Sequence, residues 1–306
     1  MGVILEMKKI FTRPFIATAV VSLIFFALGA LALARGVEWY GYTLFIMIPV
    51  CVGFFMGQKP TWKMSLMVAL LFGLVCFLLL LVIGGIEAFV CIIMASPLII
   101  IVAVIGTGIG YAARRIFDKL LKNSNAKLSL VPLFALLLAG TFEHYFVGEY
   151  DYVKVSTSIY LPYNPDKVYD YIKSVDTLNT EQPFLMKLGL PVPQKCILEK
   201  EQVGAVRTCY FANGVIEEKV IAIKRGEILK MDVTKYTLPL PTWIKFNEAI
   251  YLFEKKGNGT LITRITTYKT SLKPRFYFRY CEVKAIEAEH EYVLADLRQR
   301  LEKSTR

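Results

Sequence analysis

Apolar residues crowd the first half of the chain and thin into short alternating runs in the second. Stretches at about 14–34, 40–57, 64–83 and 86–113 are long and carry no charge at mid-span, whereas a fifth at 128–147 ends in Glu143 and His144. A helix needs roughly 20 mostly apolar residues to cross the hydrocarbon core, because lipid offers its backbone no hydrogen-bond partner. The pattern predicts an α-helical transmembrane bundle over residues 1–148. It has five helices if 128–147 crosses and four if that segment lies on the surface. Five is preferred, since basic residues precede the segment and Glu143, Glu149 and Asp151 follow it. Ala32-Leu33-Ala34 resembles a signal-peptidase site, but the apolar stretch before it is longer than a cleaved leader needs, so an uncleaved anchor is expected.

From Tyr150 the period shortens. Val153–Leu161 reads as a strand stopped by Pro162, Asn164 and Pro165, and Pro165-Asp166 suits the first turn of a short helix. An apolar loop, Phe184–Pro191, follows. Six further strands are predicted at about Cys196–Gln202, Ala205–Ala212, Val215–Lys224, Ile228–Tyr236, Trp243–Glu254 and Thr260–Ser271. Asn213-Gly214 and Asn258-Gly259 are hairpin-turn dipeptides, and Gly204 and Gly226 mark other tight connections. Connections this short force antiparallel pairing. The chain ends in a helix over about Pro274–Lys303, whose Val283, Ile286, His290, Val293, Leu297 and Leu301 form one stripe. Both parities of Val215–Ala222 mix apolar with charged residues, so its inward face is not assigned.

Charge separates the halves. The formal net charge of +11 divides into about +7 before residue 143 and +4 after it. The first share sits between apolar segments: Lys8, Lys9 and Arg13 before the first, Lys59 and Lys63 after the second, and Arg114, Arg115, Lys119, Lys122 and Lys127 after the fourth. That distribution predicts a cytoplasmic N-terminus, and the expected location is a multi-pass one in a bacterial plasma membrane. With five spans, residues 149–306 lie outside; with four, they lie in the cytoplasm. A nucleic-acid partner would call for a basic stripe with interleaved aromatics, and the one short candidate is Lys273, Arg275 and Arg279 among Phe276, Tyr277, Phe278 and Tyr280, so none is expected. With only two histidines, His144 and His290, and no CxxC pair among six cysteines, neither a zinc site nor any other cofactor is expected. Gly106, Gly108 and Gly110 lie inside an apolar helix and read as close helix packing.

The run Leu161-Pro162-Tyr163-Asn164-Pro165-Asp166-Lys167-Val168-Tyr169-Asp170-Tyr171-Ile172 resembles the first strand-to-helix junction of the START-like superfamily, also called SRPBCC. Val203-Gly204-Ala205-Val206-Arg207 and Gly214-Val215-Ile216-Glu217-Glu218-Lys219-Val220 are similar to its central hairpins. That group includes polyketide cyclase/dehydratase-like proteins, plant lipid-binding allergens and START lipid carriers. The resemblance covers roughly Tyr150 to Leu301 and implies an α+β helix-grip domain, a seven-stranded antiparallel sheet curled round the long C-terminal helix. It also implies a hydrophobic cavity between the two.

Within that expectation His290 faces the cavity, either as a satisfied core residue or as a base partnered by Glu217 or Glu218, with Arg207 orienting a ligand. Tyr210, Ile286 and Val293 are further cavity candidates. Leu240 and Trp243, in the apolar run Leu238–Trp243, and Tyr277, among Lys273, Arg275 and Arg279, are candidates for its lip or for contact with the bilayer. Cys196 and Cys209 lie almost symmetrically about Gln202-Val203 and would face each other across a hairpin; a disulfide there requires a location outside the cytoplasm. The expected function is a membrane-tethered domain that binds a lipid or other apolar small molecule, as carrier or sensor. The alternatives are a cyclase/dehydratase-like enzyme in the same cavity and a non-catalytic interaction or regulatory module.

Overall fold

The computed structural model describes residues 41–58, 89–120, 138, 141, 143, 150–238 and 243–304. The chain divides into two compact units, residues 1–149 with 272–277 and residues 150–271 with 278–306. The predicted spans 14–34 and 64–83 lie outside the described residues, as does 128–147 apart from Leu138, Thr141 and Glu143.

In the first unit a π-helical turn, Thr43–Met47, runs into α1, Ile48–Gly57. Pro49 has no N–H to offer the preceding turn, and that turn is the widened one. α2 covers Phe89–Leu120. Its segment Phe89–Ile116, 28 residues, is the one described helix long and apolar enough to cross a membrane, and Thr43–Gly57 is a shorter apolar helix. The described residues therefore hold one candidate span where the sequence predicts a bundle. Pro97 removes the donor for the Ile93 carbonyl, and Ser96 Oγ supplies one at 3.2 Å. This kind of local substitution lets a proline sit in an apolar helix.

Glycines bring α1 and α2 together. A Cβ on Gly53 would fall 2.1 Å from the Ala103 carbonyl oxygen, and one on Gly57 2.1 Å from that of Thr107. In return, a Cβ on Gly106 would meet the Val50 oxygen at 2.3 Å and one on Gly110 the Phe54 oxygen at 2.2 Å. Both helices thus use glycines four apart to let backbones touch. Gly108, one residue off that face, meets nothing within 4 Å. Both ends of the shorter helix are capped by charge of the sign its dipole favours. Glu143 accepts from Tyr42 N at 2.6 Å and Thr43 N at 2.8 Å, and Arg114 Nη1 donates to the Gln58 oxygen at 2.9 Å.

The second unit opens with β1, Asp151–Leu161, then α3, Pro165–Lys173, and the short α4, Phe184–Lys187. Asn164 caps α3, its side chain accepting from Asp166 N at 3.1 Å, with Pro165 in the first turn. The remaining strands are β2 Pro193–Leu198, β3 Val206–Phe211, β4 Gly214–Lys224, β5 Ile228–Tyr236, β6 Ile244–Lys256 and β7 Gly259–Thr270. α5, Arg275–Lys303, ends the chain. The seven strands form one sheet in the order β1-β7-β6-β5-β4-β3-β2, with every pair antiparallel. This sheet with its long C-terminal helix fits the helix-grip fold.

The sheet is strongly curled. Arg207 on β3 and Arg264 on β7 are separated by four strand spacings, about 19 Å in a flat sheet. Their guanidinium carbons nonetheless lie 5.8 and 5.3 Å from the same Tyr251 ring centroid. Register shifts in β4 at Glu217/Glu218 and Val220/Ala222 contribute to the curl, since bulges bend a strand. They also explain why the parity of this strand is mixed in the sequence.

Two hairpins turn one residue earlier than their dipeptides suggest. Phe211 pairs with Gly214 and Lys256 with Gly259, so the loops are Ala212-Asn213 and Gly257-Asn258. The positive φ in the second falls on Gly257, at 58°. Glycine tolerates that conformation better than asparagine does, which fixes the turn there. The continuous apolar core joins α3, the middle of the sheet and the C-terminal half of α5 through Val168, Ile172, Tyr251, Ile262, Val293 and Leu297.

Candidate functional site

Side chains of the inner sheet face and of α5 meet in two different ways. Toward the C-terminus of α5, Val293, Leu294, Leu297 and Leu301 are buried in the apolar core. One to three turns earlier the helix meets the sheet through polar groups. Glu282 accepts from the Tyr268 hydroxyl at 3.2 Å and the Thr270 hydroxyl at 2.9 Å, and Glu289 pairs with Arg264 at 2.7 Å. Ile286, between them, is only half-buried, as are Val233 and Phe246. Val233 pairs directly with buried Glu218, and the Phe246 ring packs edge-on against buried Tyr268, 6.2 Å between centroids. The C-terminal half of α5 thus lies on an apolar core, whereas its middle meets the sheet through polar groups and half-buried Ile286.

His290 is fully buried and satisfied. Its Nε2 lies 2.8 Å from the Thr266 hydroxyl and its Nδ1 3.0 Å from that of Thr157, so it ties α5 to β7 and β1. Burial, reinforced by the charge of Arg264, pushes it down to about 2. It is therefore neutral, with both nitrogens engaged.

Arg207 and Glu218 do meet. They face each other across β3 and β4, 3% and 7% exposed, and pair at 2.7 Å. The rest of the Arg207 guanidinium serves the fold. Its Nε donates to the Lys173 carbonyl at 3.0 Å and its Nη2 to that of Ile172 at 3.4 Å, capping the C-terminus of α3. Glu217 points the other way and pairs with Lys235 at the surface. His290 makes its hydrogen bonds to β1 and β7, and none to Arg207 or Glu218.

Tyr210 lies on the opposite face of β3 from buried Arg207 and Cys209, with Lys195 Nζ 4.6 Å from its ring centroid. Trp243 is buried just before β6, where its carbonyl accepts from Ser271 N at 3.0 Å. Tyr277 is half-buried in the first turn of α5, and Leu240 lies outside the described residues. Cys196 and Cys209 are paired in the β2–β3 register and joined as a disulfide.

Arg264, Glu289 and Tyr251 were not singled out in the sequence. Arg264 shares its parity on β7 with buried Ile262 and Thr266. Glu289 falls on the stripe Glu282, Ile286, Glu289, Val293, Leu297 at helical spacing. The signal was present, but charge at those positions reads as a solvated face. Burial pulls the Arg264 guanidinium down, but the neighbouring Glu289 outweighs it and holds it above its usual range. Burial pushes the Tyr251 hydroxyl up against the charges of Arg264 and Arg207.

No protein-family model and no curated protein matches the chain. Solved structures do resemble it over its C-terminal half. The ginseng major latex-like protein 151 from Panax ginseng is 14% identical with a TM-score of 0.33, covering 49% of this chain and 97% of its own. Ara h 8.0201 is 16% identical with a TM-score of 0.31, covering 47% and 99%. A protein from Nitrosospira multiformis is 16% identical with a TM-score of 0.35, covering 50% and 100%. Likeness at this level adds nothing to what the strand order and helix already establish. Among the described residues no group of His, Cys, Asp and Glu is arranged to hold a metal ion.

Proposed function

We propose that this chain is a membrane-embedded protein whose residues 150–304 bind a lipid or similar apolar small molecule between the sheet and α5, as a carrier or sensor without a reaction of its own. The observation that carries this reading is the change of lining along α5, from an apolar core beneath its C-terminal half to polar groups and half-buried Ile286 beneath its middle. The apolar core closes over the C-terminal half of the helix, while Ile286 and Glu289 keep accessible surface. Ligand sites are mostly apolar with a few placed polar groups, and the middle of α5 meets the sheet through such a mixture.

Membrane embedding rests on α2. Ile93, Ile100, Ile101, Val104, Ile105 and Ile109 are exposed along one of its faces. Such a face is costly in water and natural in hydrocarbon. Five spans, as expected from the sequence, would put residues 150–304 outside the cytoplasm, and the Cys196–Cys209 disulfide favours the same side because such bonds persist in oxidising compartments. Tethering at the bilayer raises the concentration of lipid that the domain meets.

The test is uptake of the uncharged fluorophore N-phenylnaphthylamine by the full chain in lipid nanodiscs, with empty nanodiscs subtracted. Saturable uptake by the wild type and its loss in Ile286→Trp, which sets a bulkier side chain on α5 at that position, is the expected result. Uptake no greater than that of empty nanodiscs would leave the domain as an interaction module.

A further inference from the structure

The outer face of the sheet carries its charge unevenly. On β1, an edge strand, Val153 and Val155 are buried, so Tyr152 and Lys154 face outward. The register aligns outward residues of β1, β7 and β6 into cross-strand rows. The row nearest the start of β1 is Tyr152, Lys269, Lys245, and at the far end the corresponding row is Tyr160, Leu261, Glu254. The first row thus sets two lysines directly opposite each other with no acid beside them. Like charges in that position are destabilising, so the fold keeps this pairing against its own stability. Asp151 shares the inward parity of Val153, and Glu248 in the next row pairs with Lys230 at 2.6 Å.

Each of the two lysines lies against a tyrosine ring. Lys245 Nζ is 4.8 Å from the Tyr150 ring centroid and Lys269 Nζ is 4.9 Å from that of Tyr152, which is itself 73% exposed. Aromatic rings and basic side chains side by side suit the headgroup layer of a bilayer, since both present an apolar body and a polar end.

The position of this row in the chain says what it meets. Tyr152 comes five residues after the apolar segment 128–147, at most about 18 Å of extended chain. Whether that segment crosses the bilayer or lies on it, its end is at the headgroups, and the row is tied within reach of them.

We propose that Tyr150, Tyr152, Lys245 and Lys269 form a docking surface for the anionic phospholipid headgroups of the bilayer that holds the chain. Lipid phosphates neutralise the two lysines and remove their mutual repulsion, while the tyrosine rings rest among the headgroups. This rests on the membrane-embedded reading and is independent of a ligand between the sheet and α5.

The experiment is hydrogen exchange of the full chain in nanodiscs of phosphatidylcholine alone and of phosphatidylcholine with about one-third phosphatidylglycerol. Amides of an edge strand that point away from the sheet exchange readily, so β1 reports on what covers it. Two lysines at an anionic leaflet are worth roughly thirtyfold in the ratio of docked to undocked chain. Exchange over residues 150–156 is therefore expected to slow about tenfold in the anionic discs. The difference should close in high salt, which screens surface charge, and should be lost in Lys245→Gln/Lys269→Gln. Residues 158–162, at the far end of the same strand, should exchange alike in both lipids. Equal exchange of residues 150–156 in the two lipids would overturn the proposal. So would lipid-dependent protection that survives the double substitution, because the basic loops of the N-terminal half would then be its source. A chain that does not co-elute with nanodiscs at all would instead remove the membrane reading on which the proposal stands.

Discussion

His290 illustrates how a residue suited to catalysis becomes a structural clamp. Its native form resists protonation down to about 2, against an ordinary value of 6.5. Between those values the unfolded chain holds the extra proton. The stability this residue contributes is therefore present above pH 6.5 and lost as pH falls below it. The slope is about 1.4 kcal/mol per pH unit for one group. Hydrogen exchange of β7 amides, corrected for intrinsic rate, should show protection falling with acidification more steeply in the wild type than in His290→Asn. Parallel curves would mean the imidazole is not held neutral. Arg207 and Glu218 invite a second test. Arg207→Met alone should cost about 3–5 kcal/mol by leaving a buried carboxylate unpaired, while Arg207→Met/Glu218→Met should recover most of the loss. Equal losses in the two variants would contradict a mutually dependent pair. The sequence marked Arg207, Glu218 and His290 as notable, but it did not separate them by role. That depends on which strands meet after the sheet curls. Arg264 and Glu289 escaped notice because a charged residue on a strand or helix is usually solvated, and only tertiary packing reveals the exception.

Elements were far more legible than sites. Six of the seven strands and the long helix lie close to where alternation, proline stops and helical spacing put them, and β5 coincides with its predicted range, Ile228–Tyr236, whereas β2 at Pro193–Leu198 shares only residues 196–198 with the predicted Cys196–Gln202. The two turns that moved did so because a neighbouring backbone position outweighed the dipeptide signal. In the first unit the contrast among glycines is sharp. Gly53, Gly57, Gly106 and Gly110 carry the α1–α2 contact and Gly108 does not. Gly106→Ala should lower the stability of the detergent-solubilised chain by about 1–3 kcal/mol, the usual cost of overpacking. Gly108→Ala should be neutral or stabilising, since alanine is the better helix former by about 1 kcal/mol. Thermal unfolding midpoints of the two variants compare the predictions directly, and identical midpoints would argue against backbone contact at Gly106. Glu143 made the 128–147 segment look weak as a span. Its carboxylate instead caps the turn that leads into α1, a use that hydropathy alone does not reveal.

At the scale of the whole molecule, an apolar N-terminal half and a helix-grip domain lie in one chain, and the proposed lipid-binding function rests on that combination. The side of the membrane is testable through the disulfide. Denatured chain from native membranes should take up two more maleimide groups after reduction than before, and unchanged labelling would remove the support for an extracytoplasmic domain. The central claim, that an apolar molecule binds between the sheet and α5, is tested most directly by what the protein carries. Full chain purified from its native membrane into nanodiscs would be extracted and analysed by mass spectrometry beside Ile286→Trp prepared in the same way. A near-stoichiometric apolar molecule present in the wild type and depleted in the variant is the expected result. Identical extracts from the two would contradict it.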